Sequence, residues 1–401
     1  MTPTIFKILP LGQLLEDMPR NGYSPACLEL PTGKWVLGLS ALDGRGLNLS
    51  GRKSAPPNDP LVDKFLLRPG DFLISRSNTS GKVGRVGVFR GGLENCSYPD
   101  LMMRFRPDLR KVNPHYLEMY LKSDAAVRFV RERATGTSGS MKKINQATVE
   151  SIPVIVPSMD DQATIATAVG AWCEAIEKTE QLITAKEQRL NHLRDRLLRD
   201  PDQAKRTQLS AVTKELTGRN GRTLGRDSIM AVTKQVGMRP MREETIAASI
   251  ERYKRVPPRG FAYNPMRLNI GSIAMSPFDT DVLVSPDYVV FGCDEHRLLP
   301  IYLQHLRFSR SWKSHFEVAG NGSVRVRIYY DDLGTFSFQL PPIGVQMRIA
   351  KSLDAAAREI ELLTRQVGSL HTQMRGLMQK LFTGQWRLPL PAVAPQRRET
   401  A

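Results

Sequence analysis

The sequence predicts an α+β protein made of two similar globular domains, each followed by one long helix. Three observations support this architecture. The chain has 401 residues, which is long for one hydrophobic core and suits two. Its second half repeats the order of motifs found in its first half. An unbroken helical pattern follows each half.

The repeat is clearest where the two long helices are predicted to begin. The segments VPSMDDQATIATAVGAWCEAI and LPPIGVQMRIAKSLDAAAREI align without a gap, so that Gln162 falls on Gln346 and Ile165 on Ile349. Further upstream the offset between the halves drifts, as loop insertions would cause, and Phe72 corresponds to Phe261. A period of about 185 to 200 residues indicates a duplicated domain rather than a solenoid.

An apolar residue recurs alternately every four and three positions along each long segment, and no proline interrupts the stripe between Ile165 and Leu197 or between Ile349 and Leu377. The pattern persists for about five heptads, which predicts two helices of roughly 55 Å packed as an antiparallel coiled coil. A single helix lying on a globular core would give a shorter and wider stripe. Lys186 and Thr179 interrupt the first stripe and are candidates for setting its register. The predicted seam consists of Ile165, Val169, Ile176, Leu190, Leu193, Leu197, Ile349, Leu353, Ile360, Val367, Leu370 and Leu377.

These patterns divide the chain into five segments. The two globular domains cover residues 1–157 and 201–340, and the long helices cover 158–200 and 341–387. The proline-rich segment 388–401 is expected to be disordered. Within each domain, strand-like runs such as FLISR and DVLVSPDYVVFG mix with shorter helical segments, which predicts the α+β class.

The chain is strongly basic. It has 57 Lys and Arg against 40 Asp and Glu, a net charge of +17, which favours a polyanionic partner such as nucleic acid or an anionic membrane. No apolar window of about 18 residues and no signal-peptide pattern is present, which predicts a cytoplasmic protein. Because the charge is spread through both halves without a basic amphipathic stripe, nucleic acid is favoured over a membrane.

Sequence motifs for metal binding and catalysis are absent. The four cysteines and six histidines lack the CxxC, CxxH, HxH or HxxxH spacing of metal ligands, so no metal site is predicted. Arg76 stands where a phosphate-binding loop would need its first glycine. No lysine has Asp or Glu two residues before it, as the common metal-dependent nuclease motif requires. The sequence therefore predicts no catalytic residues.

Two clusters in each half combine the residue types that bind DNA. Arginine can pair with guanine and asparagine with adenine, whereas serine and lysine can contact phosphates. One cluster follows the run FLIS or FAY, and the other lies in TGTSGSMKK or AGNGSVRVR. A solvated basic loop is the alternative, which the duplication in matching places disfavours. The predicted DNA-binding residues are Arg76, Ser77, Asn78, Ser80, Lys82, Arg85, Ser140, Lys142, Lys143, Tyr263, Asn264, Met266, Arg267, Asn269, Asn321, Ser323, Arg325 and Arg327.

The ordered set of motifs resembles the specificity (S) subunits of type I restriction-modification systems. The set comprises RPGDFLISRSNTSGKVGRVGVF, YNPMRLNIGSIA with VLVSPDYVVF, and the PP..Q..IA..L...D..I start of the second helix. The resemblance extends from about Ile5 to Leu388. It implies two target recognition domains held apart by the helix pair, each binding one half of a split DNA sequence. The two recognition loops align only with a gap, so a contact in one loop does not transfer directly to the other.

The resemblance also implies the partners and the reaction. The partners would be double-stranded DNA, methyltransferase (M) subunits and restriction (R) subunits, with no membrane. This chain would bind no cofactor, whereas the partner subunits would bind S-adenosylmethionine and ATP with magnesium. Adenine methylation or DNA cleavage would be performed by those subunits, and this chain would be non-catalytic.

Two other functions stay open from the residues alone. A nuclease or modification enzyme with a variant active site would depend on a carboxylate such as Asp71 or Asp287. A stand-alone scaffold would bind proteins through its helices and hold DNA without sequence preference, which predicts a steep salt dependence on every DNA sequence.

Overall fold

The computed structural model describes residues 6–136, 141–234, 237–318 and 327–388. The chain divides into two compact units: the first comprises residues 1–178 and 367–401, and the second comprises 179–366. The predicted tail lies outside the described residues except for Leu388. No helix in the described ranges is both long and apolar enough to span a membrane.

The first unit mixes short strands and helices. Its strands are β1 (Lys7–Pro10), β2 (Leu15–Asn21), β3 (Trp35–Leu37), β4 (Arg52–Ser54), β5 (Phe72–Ser75), β6 (Ser77–Asn78), β7 (Val86–Val88), β8 (Cys96–Ser97), β9 (Met102–Pro107), β10 (Lys142–Lys143) and β11 (Pro153–Val156). Its helices are α1 (Pro60–Lys64), α2 (Pro114–Leu121), α3 (Asp124–Arg133) and α4 (Gln146–Glu150), and the long helix α5 (Met159–Arg199) begins in it.

The second unit repeats this composition. Its strands are β12 (Lys205–Gln208), β13 (Thr213–Glu215), β14 (Met230–Thr233), β15 (Gly237–Pro240), β16 (Lys254–Val256), β17 (Phe261–Tyr263), β18 (Ile273–Met275), β19 (Val282–Val284), β20 (Val289–Cys293) and β21 (Ser337–Leu340). Its helices are α6 (Pro300–Leu306), α7 (Arg310–Val318) and α8 (Tyr330–Gly334), and the long helix α9 (Ile343–Phe382) begins in it.

Each unit contains a four-stranded antiparallel sheet of the same topology. The strand order is β2-β9-β5-β7 in the first unit and β13-β20-β17-β18 in the second. Phe72 pairs with Phe105 on the neighbouring strand, and Phe261 pairs with Phe291 in the same way. The ring centroids of these pairs are 5.4 and 5.2 Å apart. The register supports a duplication, and the predicted α+β class is confirmed.

One face of each sheet packs against helices of its own unit. In the first unit, Phe72 and Phe105 share a buried cluster with Tyr116 of α2 and Val169 of α5. In the second unit, the equivalent cluster contains Phe261, Phe291, Tyr302 of α6 and Leu353 of α9. Burial of these aromatic and aliphatic side chains contributes about 1.5 to 3 kcal/mol each. This inner face therefore attaches each sheet to a long helix.

The opposite, outer face of the sheet differs between the units. In the first unit, Asp71 is 0% exposed and its Oδ1 accepts from Nε of Arg106 at 2.5 Å and from Nη1 of Arg104 at 3.4 Å. The aligned positions of the second unit hold Gly260, Val290 and Gly292. The first outer face thus carries a buried ionic network beside an apolar cluster with Leu73 and Met102, whereas the second is covered by an apolar cluster with Val232 and Ala274.

The two long helices contact each other within each unit. In the first unit, Sγ of Cys173 lies 3.7 Å from Sδ of Met374. In the second, Nζ of Lys186 forms a 2.7 Å salt bridge with Oε1 of Glu359. Residue numbers rise along α5 as they fall along α9, so the helices run antiparallel. The lysine that interrupts the apolar pattern of α5 thus has a charged partner on the other helix.

The predicted seam residues are all buried or half-buried. The buried ones are Ile165, Val169, Ile176, Leu190, Ile349, Leu353 and Val367. The half-buried ones are Leu193, Leu197, Ile360, Leu370 and Leu377.

Candidate nucleic-acid interface

In the first unit, the structure brings together two predicted clusters that lie more than sixty residues apart in sequence. Strand β6 pairs antiparallel with β10, so that Asn78 lies opposite Lys142 and Ser77 opposite Lys143. The backbone N–H of Ile144 donates to the carbonyl of Arg76 at 2.9 Å. The SRSNTSGK segment and the MKK segment therefore form one surface.

The loop between β6 and β7 is fixed from beneath by helix α3. The carbonyl of Thr79 accepts hydrogen bonds from the N–H groups of Lys82 and Val83, both at 2.9 Å, which closes a tight turn. Gly84 has a φ of +78°, and a methyl group added there would lie 2.4 Å from Cγ1 of Val130. Only glycine fits this close approach without displacing the helix. The turn thus holds Ser80 and Lys82 outward.

The side chains of this surface differ in exposure. Ser80, Lys82 and Lys143 are exposed, whereas Arg76, Arg85 and Lys142 are half-buried. Each half-buried cation donates to a carbonyl: Arg76 to Asp100 at 3.3 Å, Arg85 to Leu42 at 3.3 Å and Lys142 to Gly136 at 2.6 Å. A guanidinium has five N–H donors, so each arginine keeps others for a ligand.

Two polar members of the first cluster are buried. Ser77 is 1% exposed with its hydroxyl 3.6 Å from Sδ of Met141, and Asn78 is 8% exposed with its amide donating to the Ser75 hydroxyl. These contacts stabilise the strand pair. Direct DNA contact therefore stays a prediction for the exposed and half-buried members of the cluster rather than for Ser77 and Asn78. The predicted residue Ser140 lies outside the described residues.

The second unit builds an equivalent surface after strand β17. The Oδ1 of Asn264 accepts from the N–H of Met266 at 3.0 Å, and the carbonyl of Arg267 accepts from the N–H of Ser272 at 3.0 Å. The N–H of Ile328 donates to the carbonyl of Pro265 at 3.1 Å. This bond matches the one between Ile144 and Arg76 in the first unit, since β5 and β17 are equivalent strands.

The predicted residues of the second surface divide in the same way. Met266, Arg267, Asn269 and Arg327 are exposed, and Asn264 is half-buried. Tyr263 is 0% exposed, and its burial raises the pKa of the phenol, so it offers no surface to a ligand. Nη1 of Arg327 donates to the Tyr329 hydroxyl at 3.4 Å, a bond that raises the pKa of the arginine. The predicted residues Asn321, Ser323 and Arg325 lie outside the described residues.

Comparison with known proteins places these surfaces in a wider context. No protein-family model matches the chain. The chain is 20% identical over 361 residues to a protein of Methanocaldococcus jannaschii named as a type I restriction enzyme MjaX specificity subunit, which covers 82% of this chain and 81% of that protein. It is 27% identical over 180 residues to the EcoKI specificity subunit of Escherichia coli K12, covering 44% of this chain and 38% of that one.

Two solved structures resemble most of the chain. One is the crystal structure of the type I restriction-modification S subunit from M. genitalium, with a TM-score of 0.55, 11% identity and coverage of 95% of this chain and 99% of that one. The chain has the fold of a type I specificity subunit. A chain from a structural study of complex assembly and conformational transition in the type I R-M system gives a TM-score of 0.56 at 14% identity, covering 95% and 98%. The resemblance inferred from the motifs is confirmed.

The specificity-subunit fold also positions a residue that the sequence motifs did not single out. Nη2 of Arg131 on α3 donates to the carbonyl of Gly81 at 2.7 Å, inside the turn that presents Lys82. Arg128 on the same helix is exposed. The segment DAAVRFVRER alternates apolar and basic positions at helical spacing, and this amphipathic pattern is the signal that could have placed α3 beside the loop.

Proposed function

We propose that this chain is the DNA sequence-recognition subunit of a type I restriction-modification complex and that it binds a bipartite DNA target. The observation that supports this most directly is the duplication of the surface. The Ile144 to Arg76 bond and the Ile328 to Pro265 bond join two basic, polar segments in each unit. A protein with two such surfaces is suited to two half-sites, one for each unit.

The exposed and half-buried residues of the two surfaces have the chemistry for groove recognition. Arg76 and Arg85 in the first unit, and Arg267 in the second, can donate two parallel hydrogen bonds to guanine. Asn269 can pair with adenine, whereas Lys82 suits a phosphate as a flexible point charge. The net charge of +17 favours association with the phosphate backbone of DNA.

The long helices are proposed to set the gap between the half-sites and to bind the methyltransferase subunits. Leu182 is 46% exposed and Leu362 is 63% exposed, both on the helix pair of the second unit. Exposed leucines on paired helices are apolar surface that a partner protein can cover. S-adenosylmethionine and ATP would be bound by the methyltransferase and restriction subunits, and this chain would position their chemistry on DNA.

A variant nuclease is supported less well. Asp71, one of the carboxylates on which it would depend, is fully buried and accepts hydrogen bonds from Arg104, Arg106 and the N–H of Arg68. A carboxylate so engaged is unavailable to a metal-bound water. The other, Asp287, is exposed and interacts electrostatically with Arg327 of the second surface.

The test is to co-express the chain with the methyltransferase encoded beside it and to map methylated adenines across the genome by single-molecule sequencing. The expected result is a split motif with two short defined halves around a constant gap. A continuous motif, or a stable complex that methylates nothing, would contradict the proposal. Substitution of Asp287 by Asn should leave the motif unchanged, whereas the nuclease alternative requires a loss of activity.

A further inference from the structure

A β-hairpin of the second unit lies beside the predicted DNA-binding loop. Strands β14 and β15 pair antiparallel, with Met230 opposite Pro240 and Thr233 opposite Gly237. The hairpin covers the outer face of the second unit's sheet, where the first unit has strands β3 and β8 on its own outer face. The sequence motifs that the two halves share do not include this hairpin, so they assign it no role.

The hairpin is firmly attached to the strand that follows the loop. The hydroxyl of Ser272, 4% exposed, donates to the carbonyl of Val232 at 2.9 Å. Val232 and Met238 share a buried apolar cluster with Ala274 of β18. A buried hydrogen bond together with apolar packing fixes the position of the hairpin relative to the loop.

Lys234 directly follows β14, and its side chain is exposed. A methyl group added at Gly271 would lie 3.5 Å from Cγ, 3.8 Å from Cδ and 3.9 Å from Cε of this lysine. The aliphatic stem of Lys234 therefore runs across Gly271, which has a φ of +89°. Gly271 is two residues from Asn269 and four from Arg267, so Lys234 lies against the same loop segment that carries both residues.

We propose that Lys234 contacts a DNA backbone phosphate and is part of the second unit's recognition surface. This inference rests on the proposed function. A lysine ammonium is a compact charge with three donors on a flexible stem, which suits a phosphate better than the two-donor geometry of a base edge. The packing of the stem on Gly271 limits the freedom of the side chain while its charged end stays in solvent.

The test compares Lys234→Ala with Lys214→Ala. Lys214 is also exposed but lies on β13, at the opposite edge of the same sheet from β18. Both variants are made in the full chain and purified with its co-expressed methyltransferase. Binding to a duplex carrying the mapped target, and to a duplex with scrambled half-sites, is measured by fluorescence anisotropy from 50 to 200 mM KCl, about the range over which phosphate contacts lose affinity.

Loss of one phosphate contact should weaken binding of Lys234→Ala to both duplexes by about three- to tenfold and reduce the salt slope by about one. Lys214→Ala should match the wild type. A loss confined to the mapped target would show a base contact and overturn the assignment, as would equal binding by the two variants. If the wild type fails to distinguish the duplexes, the proposed function fails, while the salt slope on either duplex still decides the role of Lys234.

Discussion

The side-chain Oε1 of Gln346 accepts a hydrogen bond from the backbone N–H of Leu299 at 2.9 Å. Its amide nitrogen donates to the carbonyls of Arg297 and Pro341, both at 2.8 Å. Gln162 makes the equivalent bonds in the first unit, accepting from Asn113 at 2.8 Å and donating to Pro157 at 3.0 Å. Both glutamines are 0% exposed. Each ties the start of a long helix to the loop before a short one, which fixes the sheet to its helix.

Replacing Gln346 by Met should destabilise the second unit. The N–H of Leu299 and two carbonyls would lose their partner in a buried site, at a cost of about 2 to 4 kcal/mol. Gln366, exposed on the same helix, provides the control, and Gln366→Met should change stability by less than about 0.5 kcal/mol. Urea denaturation followed by far-UV circular dichroism measures both. Equal midpoints for the two variants would remove the structural role of Gln346.

Arg76→Ala and Lys82→Ala should affect DNA binding in different ways. If Arg76 pairs with a base, its loss weakens binding by about 1 to 3 kcal/mol and relaxes preference at one position of the target. Loss of Lys82 should weaken binding to all sequences alike and lower the salt slope by about one. Competition binding with single-position target variants separates these results. An equal loss on every sequence for Arg76→Ala would reassign it to a phosphate contact.

Shortening both long helices by one heptad should shorten the gap in the DNA target. The Cys173–Met374 and Lys186–Glu359 contacts set the helix register, so deletion of residues 179–185 together with 361–367 keeps the remaining seam in phase. Seven residues span about 10.5 Å of helix, which corresponds to about three base pairs. Methylation mapping reports the gap. Deletion from α5 alone is the control and should disrupt the pairing. An unchanged gap in the double deletion would show that the helices do not set it.

His305 should make the second unit sensitive to mild acid. Burial lowers the pKa of this histidine, the more so beside Arg194 and Arg307, although its 2.8 Å contact with Asp354 raises it. The unfolded chain, with a histidine pKa near 6.5, binds a proton more readily than the folded one. Stability contributed by neutral His305 is therefore present above about pH 6.5 and is lost as the pH falls toward the lower folded pKa.

The measurement is urea denaturation between pH 7.5 and 5.5 for the wild type, His305→Gln and His192→Gln. His305→Gln should flatten the pH dependence because glutamine does not titrate. His192 is exposed on α5, so its variant should follow the wild type. Parallel curves for all three proteins would mean that His305 does not contribute.

The long helices and the duplicated sheet could be predicted because their signals are local and periodic. The heptad pattern located α5 and α9, and the runs FLIS and FAY located the central strands. The pairing of Ser77 with Lys143, and the bond between Ile328 and Pro265, join segments separated by more than sixty residues. Nothing in the local pattern specifies such contacts. The sequence therefore located the clusters but did not show that they pair with each other in the fold.

Exposure was the other property that composition could not supply. A serine, an asparagine and a tyrosine in a polar, basic loop suggested ligand contacts, yet Ser77, Asn78 and Tyr263 are buried. Alternation along a strand decides which side chains face the core, and the first residues after β5 continue as the short strand β6. Lys234 is exposed, but the sequence did not single it out. Its side chain approaches Gly271 only because the hairpin folds over the sheet.

The two faces of each sheet are under unequal constraint. A change at Phe72 or Phe261 on the inner face must suit a short helix and a long helix together, so few side chains are acceptable there. On the outer face, Leu73 and Ala262 pack only against the separate layers that cover them. A change in the outer layer of one unit would therefore leave the packing of its sheet on the long helix in place.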